Sequence, residues 1–216
     1  MDPYSTDDET VEKLRLWWRE NGLWILGGVA LGAAVLFGWR YWTEWREQQL
    51  GLASDTYAQL LVESANGDYT HALELAQDIR EVRVPNPYSD MAALALARNA
   101  AVAGDAETAR GQLQAVIDDT ADPDTAHIAR LRLARLQLAA GELDAAAALA
   151  SHDDAGRYAP LYAELRGDVA VARGDTDAAI AAYRDALSAP ADGIADRAML
   201  EMKLDNLGAG APAQGA

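Results

Sequence analysis

The feature that most constrains this chain is an uncharged run of 17 residues near its N-terminus, Leu23–Trp39. An α-helix of that length spans roughly 26 Å, close to the thickness of the hydrocarbon core of a bilayer. Tryptophans cluster at both ends of the run, as is typical of residues at a membrane interface. They are Trp17, Trp18, Trp24, Trp39, Trp42 and Trp45. The run therefore predicts one transmembrane helix over residues 23–39.

Two other interpretations of this run fit the sequence less well. A cleaved signal peptide has a shorter apolar stretch and ends at a small-x-small site, whereas the bulky sequence GWRYW stands at residues 38–42. A buried helix of a soluble domain does not account for aromatic residues at both ends of the run. We therefore expect an anchor that stays in the membrane.

Basic residues predict the orientation of the anchor. Three of them precede the run and two follow it, namely Lys13, Arg15 and Arg19, then Arg40 and Arg46. Cytoplasmic flanks carry the excess of positive charge, so the N-terminus is expected in the cytoplasm.

Small residues repeat along the predicted transmembrane helix. Gly28 and Gly32 form a GxxxG motif, and Ala34 and Gly38 form a second pair of small residues with the same spacing. Such residues let a second helix approach closely, so Gly28 and Gly32 are candidates for helix packing. The alternative is that glycine is simply common in membrane helices.

A degenerate repeat occupies the rest of the chain. Four glycines, each followed by an acid, recur at spacings of 37, 37 and 33 residues, and alanine stands five residues after every glycine. The glycines are Gly67, Gly104, Gly141 and Gly174, and the alanines are Ala72, Ala109, Ala146 and Ala179. Glycine ends a helix, the acid begins the next one, and alanine allows the two helices to pack closely. The pattern predicts stacked helical hairpins.

The last full unit resembles the tetratricopeptide repeat, with Gly167, Ala179, Tyr183 and Ala186 at the small-small-aromatic-small spacing of that family. The predicted fold is therefore all-α, with a single transmembrane helix followed by a tetratricopeptide-like α-solenoid. The expected parts are a cytoplasmic tail (1–22), the transmembrane helix (23–39), a juxtamembrane linker (40–50), the repeat domain (51–207) and a disordered tail (208–216). Residues 192–207 are expected to form a capping helix.

Charge excludes one class of partner. The net charge is −16, and beyond residue 47 the chain has 13 Arg and Lys against 26 Asp and Glu. So acidic a domain repels phosphates, and we therefore expect no nucleic-acid binding. The acidity also fits a salty habitat.

Residue types with catalytic or metal-binding chemistry are sparse. The chain has no cysteine and three histidines, His71, His127 and His152. His71 and Glu74 share a helix face without further apparent ligands, and His152 is interpreted as part of a polar loop. No phosphate loop, nucleophile elbow or HExxH motif occurs. We predict no enzyme, no cofactor and no metal.

Three stretches of the chain resemble parts of a known family, namely GVALGAAVLFGWRYW at 28–42, AELRGD at 163–168 and EMKLDNL at 201–207. By these stretches the chain resembles the YfgM family, the ancillary tetratricopeptide subunit of the bacterial Sec translocon. The resemblance implies a single-pass inner-membrane protein with a periplasmic repeat domain. It also implies association with SecYEG, with a PpiD-type periplasmic chaperone and with translocating polypeptides.

Usual stacking of the repeats places one residue of each first helix in a shared groove. These are Leu61, Arg98, Arg135 and Asp168, and the two arginines are expected to bind a carboxylate of a partner. Alternatively, Arg135 pairs with Asp168 inside the domain, or all four side chains are solvated.

The leading hypothesis is a translocon accessory that helps to transfer polypeptides to periplasmic chaperones. An envelope scaffold or assembly factor is a second hypothesis. A third is a regulatory membrane protein whose cytoplasmic tail binds a signalling partner.

Overall fold

The computed structural model describes residues 5–190 and 194–209, with side chains from residue 11 onward. All regular secondary structure in these ranges is helical, which confirms the all-α prediction. The chain divides into two compact units, Met1–Leu52 and Ala53–Ala216. Residues 210–216 of the tail predicted to be disordered lie outside the described residues.

The first helix, α1, runs from Ser5 to Asn66 and contains the apolar run. Within the described residues it is the one helix long and apolar enough to cross a membrane. Its apolar side chains are open to the surroundings, with Leu23 and Trp24 each 83% exposed. Such exposure of large apolar side chains is what a helix facing lipid requires.

The segment 40–50, which we predicted as a linker, is helical in the structure and continuous with the rest of α1. The physical reason is local, because the segment has neither proline nor glycine and consists largely of residues that tolerate a helix. Arg40 also pairs with Glu44 one turn later, with 2.9 Å between Nε and Oε1.

In the part of the chain that the structure describes, eight further helices follow α1. They are α2 (Tyr69–Glu81), α3 (Tyr88–Val102), α4 (Ala106–Asp119), α5 (Pro123–Ala139), α6 (Leu143–Ala150), α7 (Ala159–Arg173), α8 (Thr176–Leu187) and α9 (Arg197–Asn206). A 3₁₀ turn at Gly156–Tyr158 precedes α7. Neighbouring helices in this order pack together, as in a stack of hairpins. A capping helix was predicted at 192–207, and α9 occupies Arg197–Asn206 of that range, whereas residues 192–193 lie outside the described residues.

Each predicted glycine ends a first helix and turns the chain. The backbone φ angle is 83° at Gly67 and Gly104, 78° at Gly141 and 76° at Gly174, in the left-handed region that glycine adopts readily. The acid that follows then caps the next helix in three of the four turns. Asp68, Asp105 and Asp175 accept hydrogen bonds from the amides of His71, Thr108 and Ala178.

Glu142 is the exception at these turns. Its side chain makes no capping hydrogen bond and instead accepts two bonds from Arg110 Nη1, at 2.6 and 2.8 Å. Because Arg110 lies on α4 and Glu142 precedes α6, this ion pair links two successive repeats.

Small residues let the paired helices approach closely. Ala72, Ala109, Ala146 and Ala179 are all 0% exposed. Among the described glycines, the closest contact is at Gly167 on α7, where a Cβ atom would lie 2.3 Å from Cε1 of Tyr183 on α8. The tetratricopeptide-like spacing of the last repeat therefore reflects a ring that packs directly on a glycine.

We expect Gly167→Ala to destabilise the repeat domain by about 1–3 kcal/mol, because Tyr183 has to leave its buried position. The matched control is Gly111→Ala on α4, where nothing lies within 4 Å of the added methyl group. That change is expected to stabilise by about 0.5–1 kcal/mol, since alanine favours a helix interior. Thermal unfolding followed by circular dichroism measures both. Equal melting temperatures for the two variants would contradict the proposed Tyr183 contact.

Candidate protein-binding groove

A groove between α3, α5 and the C-terminal part of α1 contains three of the four residues predicted to bind a partner. Leu61 and Arg98 line a cavity of about 590 Å³, and Arg98 and Arg135 line a neighbouring cavity of about 500 Å³. Arg98, Val102 and Arg132 line both cavities, which therefore adjoin. We refer to this surface, lined by Leu61, Arg98, Val102, Arg132 and Arg135, as the arginine groove.

The position of the groove residues follows from the packing of the first helices. Arg98 and Arg135 each come directly after an alanine that is buried against the neighbouring helices, Ala97 at 3% exposure and Ala134 at 0%. One residue further along a helix, the side chain points about 100° away from that contact. The arginines are consequently exposed, which is how stacking was expected to place them.

Arg132 is a groove residue that the sequence analysis missed. It lines both cavities and lies on the exposed side of α5. A signal for it was present, because Arg132 and Arg135 are three residues apart and therefore share a helix face.

The groove combines positive charge with apolar surface. In the part of the chain that the structure describes, no carboxylate lies within ion-pairing distance of Arg98, Arg132 or Arg135. Val102 is 80% exposed beside these arginines, and Leu61 is 43% exposed. A surface with both properties can bind carboxylates and apolar side chains of the same partner.

Asp168, the fourth predicted residue, does not line the arginine groove. Its Oδ1 atom accepts hydrogen bonds from Lys203 Nζ at 2.6 Å and from Tyr183 Oη at 2.8 Å. Lys203, on α9, also donates to Glu164 Oε1 at 2.7 Å. The alternative in which Arg135 pairs with Asp168 is therefore wrong, because the capping helix supplies the cation instead.

The groups around Asp168 stabilise one another electrostatically. Burial tends to lower the pKa of Lys203, but its hydrogen bonds to Asp168 and Glu164 outweigh burial and raise the pKa above its ordinary value. Burial, together with the hydrogen bond to Asp168, raises the pKa of the Tyr183 hydroxyl. Lys203 is thus held charged and Tyr183 neutral, and the cluster fixes α9 on the last repeat.

The histidines lie in two different surroundings. His127 and His152 pack with Tyr158 and Tyr162, and His127 Nδ1 lies 3.0 Å from Tyr162 Oη. Burial lowers the pKa of His127, and the charge of nearby His152 lowers it further. The sequence analysis placed His152 in a polar loop and did not foresee this aromatic cluster.

His71 lies near two acids that the sequence analysis did not identify. Its ring nitrogen and the carboxylate oxygens of Glu63 and Asp68 lie within 4.8 Å of one another. Asp68 already accepts a hydrogen bond from the His71 amide, so the turn geometry itself brings these residues together.

Gly28 and Gly32 present an open surface on α1. A Cβ atom added at either position would meet nothing within 4 Å. The two residues are one turn apart and share a face, so this face of the helix can receive another helix closely. Their part in helix packing remains a prediction.

Comparisons with known proteins support the helical-repeat fold. A family model described as a tetratricopeptide repeat-like domain matches residues 15–209. The chain belongs to this family. No solved structure matches the chain.

Three relatives are similar over nearly their whole length, and each is named ancillary SecYEG translocon subunit. The Escherichia coli protein is 28% identical, covering 96% of this chain and 99% of the relative. The Haemophilus influenzae protein is 29% identical, covering 94% and 99%. The Neisseria gonorrhoeae protein is 26% identical, covering 96% and 100%. The resemblance to the YfgM family is confirmed.

Lys203→Met is expected to destabilise the protein by about 1–3 kcal/mol at neutral pH, because it leaves Asp168 and Glu164 close together without a cation. Both carboxylates are less than a quarter exposed, at 23% and 14%. Protonated carboxyl groups do not repel one another, so the loss of stability should be present at neutral pH and shrink as the pH falls to about 4, the ordinary range for carboxyl groups.

Urea unfolding at several pH values tests this expectation. The control is Arg184→Met on α8, an exposed arginine without an ion pair among the described residues. It should change stability by about 0.5 kcal/mol or less at every pH. A loss for Lys203→Met that stays constant with pH would contradict the electrostatic role.

Gly28→Leu combined with Gly32→Leu is expected to weaken association with a neighbouring membrane helix while leaving membrane insertion unchanged. The control is Gly27→Leu with Ala30→Leu, which adds the same side chains to other faces of the helix. Co-purification of membrane partners in mild detergent measures the effect. Equal recovery of partners with both double variants would show that the glycine face only contacts lipid.

Proposed function

We propose that this protein is a membrane-anchored, protein-binding subunit that associates with the Sec translocon and helps to transfer translocated polypeptides to periplasmic chaperones. The observation that carries the proposal is end-to-end similarity to relatives named ancillary SecYEG translocon subunit. A match over single repeats would indicate only a binding module. The match here includes the apolar helix and the repeat domain in the same order.

The apolar helix and the named relatives support a location in the bacterial inner membrane. Lys13, Arg15 and Arg19 favour a cytoplasmic N-terminus over the weaker basic flank at Arg40 and Arg46. In the proposed topology the repeat domain lies in the periplasm, where translocated polypeptides emerge. A PpiD-type chaperone anchored in the same membrane is the expected recipient of these polypeptides.

The repeat domain contributes a contact surface. The arginine groove presents exposed side chains from successive repeats, which is how solenoid proteins bind extended partners. Anchoring in one membrane also raises the effective concentration of a partner, so each contact can be weak. Membrane anchoring and a shallow groove therefore suit transient contacts with many polypeptides.

Site-specific photo-crosslinking in cells tests this function. A crosslinking residue at Leu61, Arg98 or Arg135 should trap a membrane-anchored chaperone or a translocating polypeptide, and residues within Leu23–Trp39 should trap translocon helices. Leu73 on α2 is a matched control, because it is exposed but does not line the arginine groove. Asp168 is not a suitable position, since it is bound to Lys203.

The other hypotheses give different crosslinks. Products confined to unrelated envelope proteins would favour a scaffold or assembly factor. Products formed only from the cytoplasmic tail would favour a regulatory protein. Either result would contradict the translocon assignment.

A further inference from the structure

We propose that the arginine groove binds an acidic amphipathic segment of a partner protein, with its apolar side chains on Leu61 and Val102 and its carboxylates on Arg98, Arg132 and Arg135. This inference rests on the proposed protein-binding function and defines the chemistry of the partner at that surface.

The charge of the groove favours an acidic partner. Beyond residue 47 the chain has twice as many acids as basic residues, 26 against 13, yet no acid among the described residues lines either cavity of the arginine groove. Three arginines line the cavity of about 500 Å³ instead. A bound carboxylate would offset the positive charge that they bring to this surface.

Arginines elsewhere in the domain show that acids are within easy reach in this fold. Arg110, Arg157, Arg166 and Arg173 each pair with at least one carboxylate, at distances between 2.5 and 3.0 Å. The three groove arginines lack such partners within residues 11–190 and 194–209. These three arginines are therefore available to form ion pairs with carboxylates from outside the domain.

Apolar surface lies among these charges. Val102, Leu61 and Met91 line the cavity of about 590 Å³ and are 80%, 43% and 41% exposed. A simple anion makes no favourable contact with apolar side chains. A nucleic acid would be repelled by the rest of the acidic domain. A protein segment that carries both leucine-like and carboxylate side chains satisfies both halves of the surface.

Two residues that line the groove carry unpaired polar atoms. Asn99 and Ser64 line the cavity of about 590 Å³, and their Nδ2 and Oγ atoms are buried without any hydrogen-bond partner in the described part of the chain. Buried polar groups are usually paired in folded proteins. The backbone of a bound segment, which carries free carbonyl oxygens and amides at its ends, offers partners for both.

The test uses the full-length protein in lipid nanodiscs and three labelled peptides of about 16 residues, long enough for roughly four helical turns. The first has leucine at helical i, i+3, i+4 spacing with flanking glutamates. The second has glutamine in place of glutamate, and the third has serine in place of leucine. Fluorescence anisotropy gives the dissociation constants. The first peptide should bind at least about tenfold more tightly than either of the others.

Charge reversal identifies the binding surface. Arg98→Glu with Arg135→Glu should weaken binding of the first peptide by about tenfold or more. The control is Arg80→Glu with Arg184→Glu, which changes the net charge equally at exposed residues outside the groove. The control should change binding by no more than about twofold, since distant surface charges are screened.

A fourth peptide, with lysine in place of glutamate, distinguishes a changed binding surface from a folding defect in the charge-reversed variant. It should not bind the native protein but should bind the Arg98→Glu, Arg135→Glu variant, because the charges on both sides have been exchanged. Equal binding of the glutamate and glutamine peptides, or equal weakening by both double variants, would overturn the inference. Crosslinks from Leu23–Trp39 to translocon helices do not involve the groove. If they form while peptide binding fails, the proposed function stands and only this inference falls.

Discussion

Close packing of paired helices on small side chains is the interaction on which the rest of the repeat domain depends. Alanine five residues after each turn is fully buried, and Gly167 lies directly under the Tyr183 ring. Larger residues at these positions would separate the two helices of a hairpin and disturb the packing of the neighbouring hairpins. Each hairpin buries its apolar face only against its neighbours. The packing of the small residue therefore fixes the orientation of each first helix, and with it the direction of the side chain that follows. The arginine groove follows from that direction.

Features determined by neighbouring residues could be predicted from the sequence. Glycine and an acid define each turn locally, so the hairpins and three of the four capping bonds match the expectation. Glu142 departs from it because its longer side chain reaches Arg110, which lies 32 residues away in the chain. The continuous helix through residues 40–50 was also readable, since nothing in that segment breaks a helix. The linker was assigned from its place between two domains and not from its own residues.

The position of three residues of the candidate site could be predicted from the sequence, but that of Asp168 could not. Leu61, Arg98 and Arg135 occupy equivalent places because their repeats each have a following repeat to pack against. Asp168 lies on the last repeat, whose neighbour is α9, and its partner Lys203 is 35 residues away. No local pattern connects the two residues, although Lys203 is the one lysine beyond the membrane segment. Side chains on the last repeat contact the capping helix, so their partners do not follow from the repeat pattern.

The way in which α9 is attached also fixes the number of repeats. Leu200 and Leu204 join the core formed by Tyr183 and its neighbours, so the apolar face on which another hairpin would stack is already occupied. Lys203 secures this arrangement by engaging two carboxylates of α7 at once. Without α9, the last hairpin would leave this apolar face exposed to solvent. The short terminal helix thus closes the stack of hairpins at its C-terminal end.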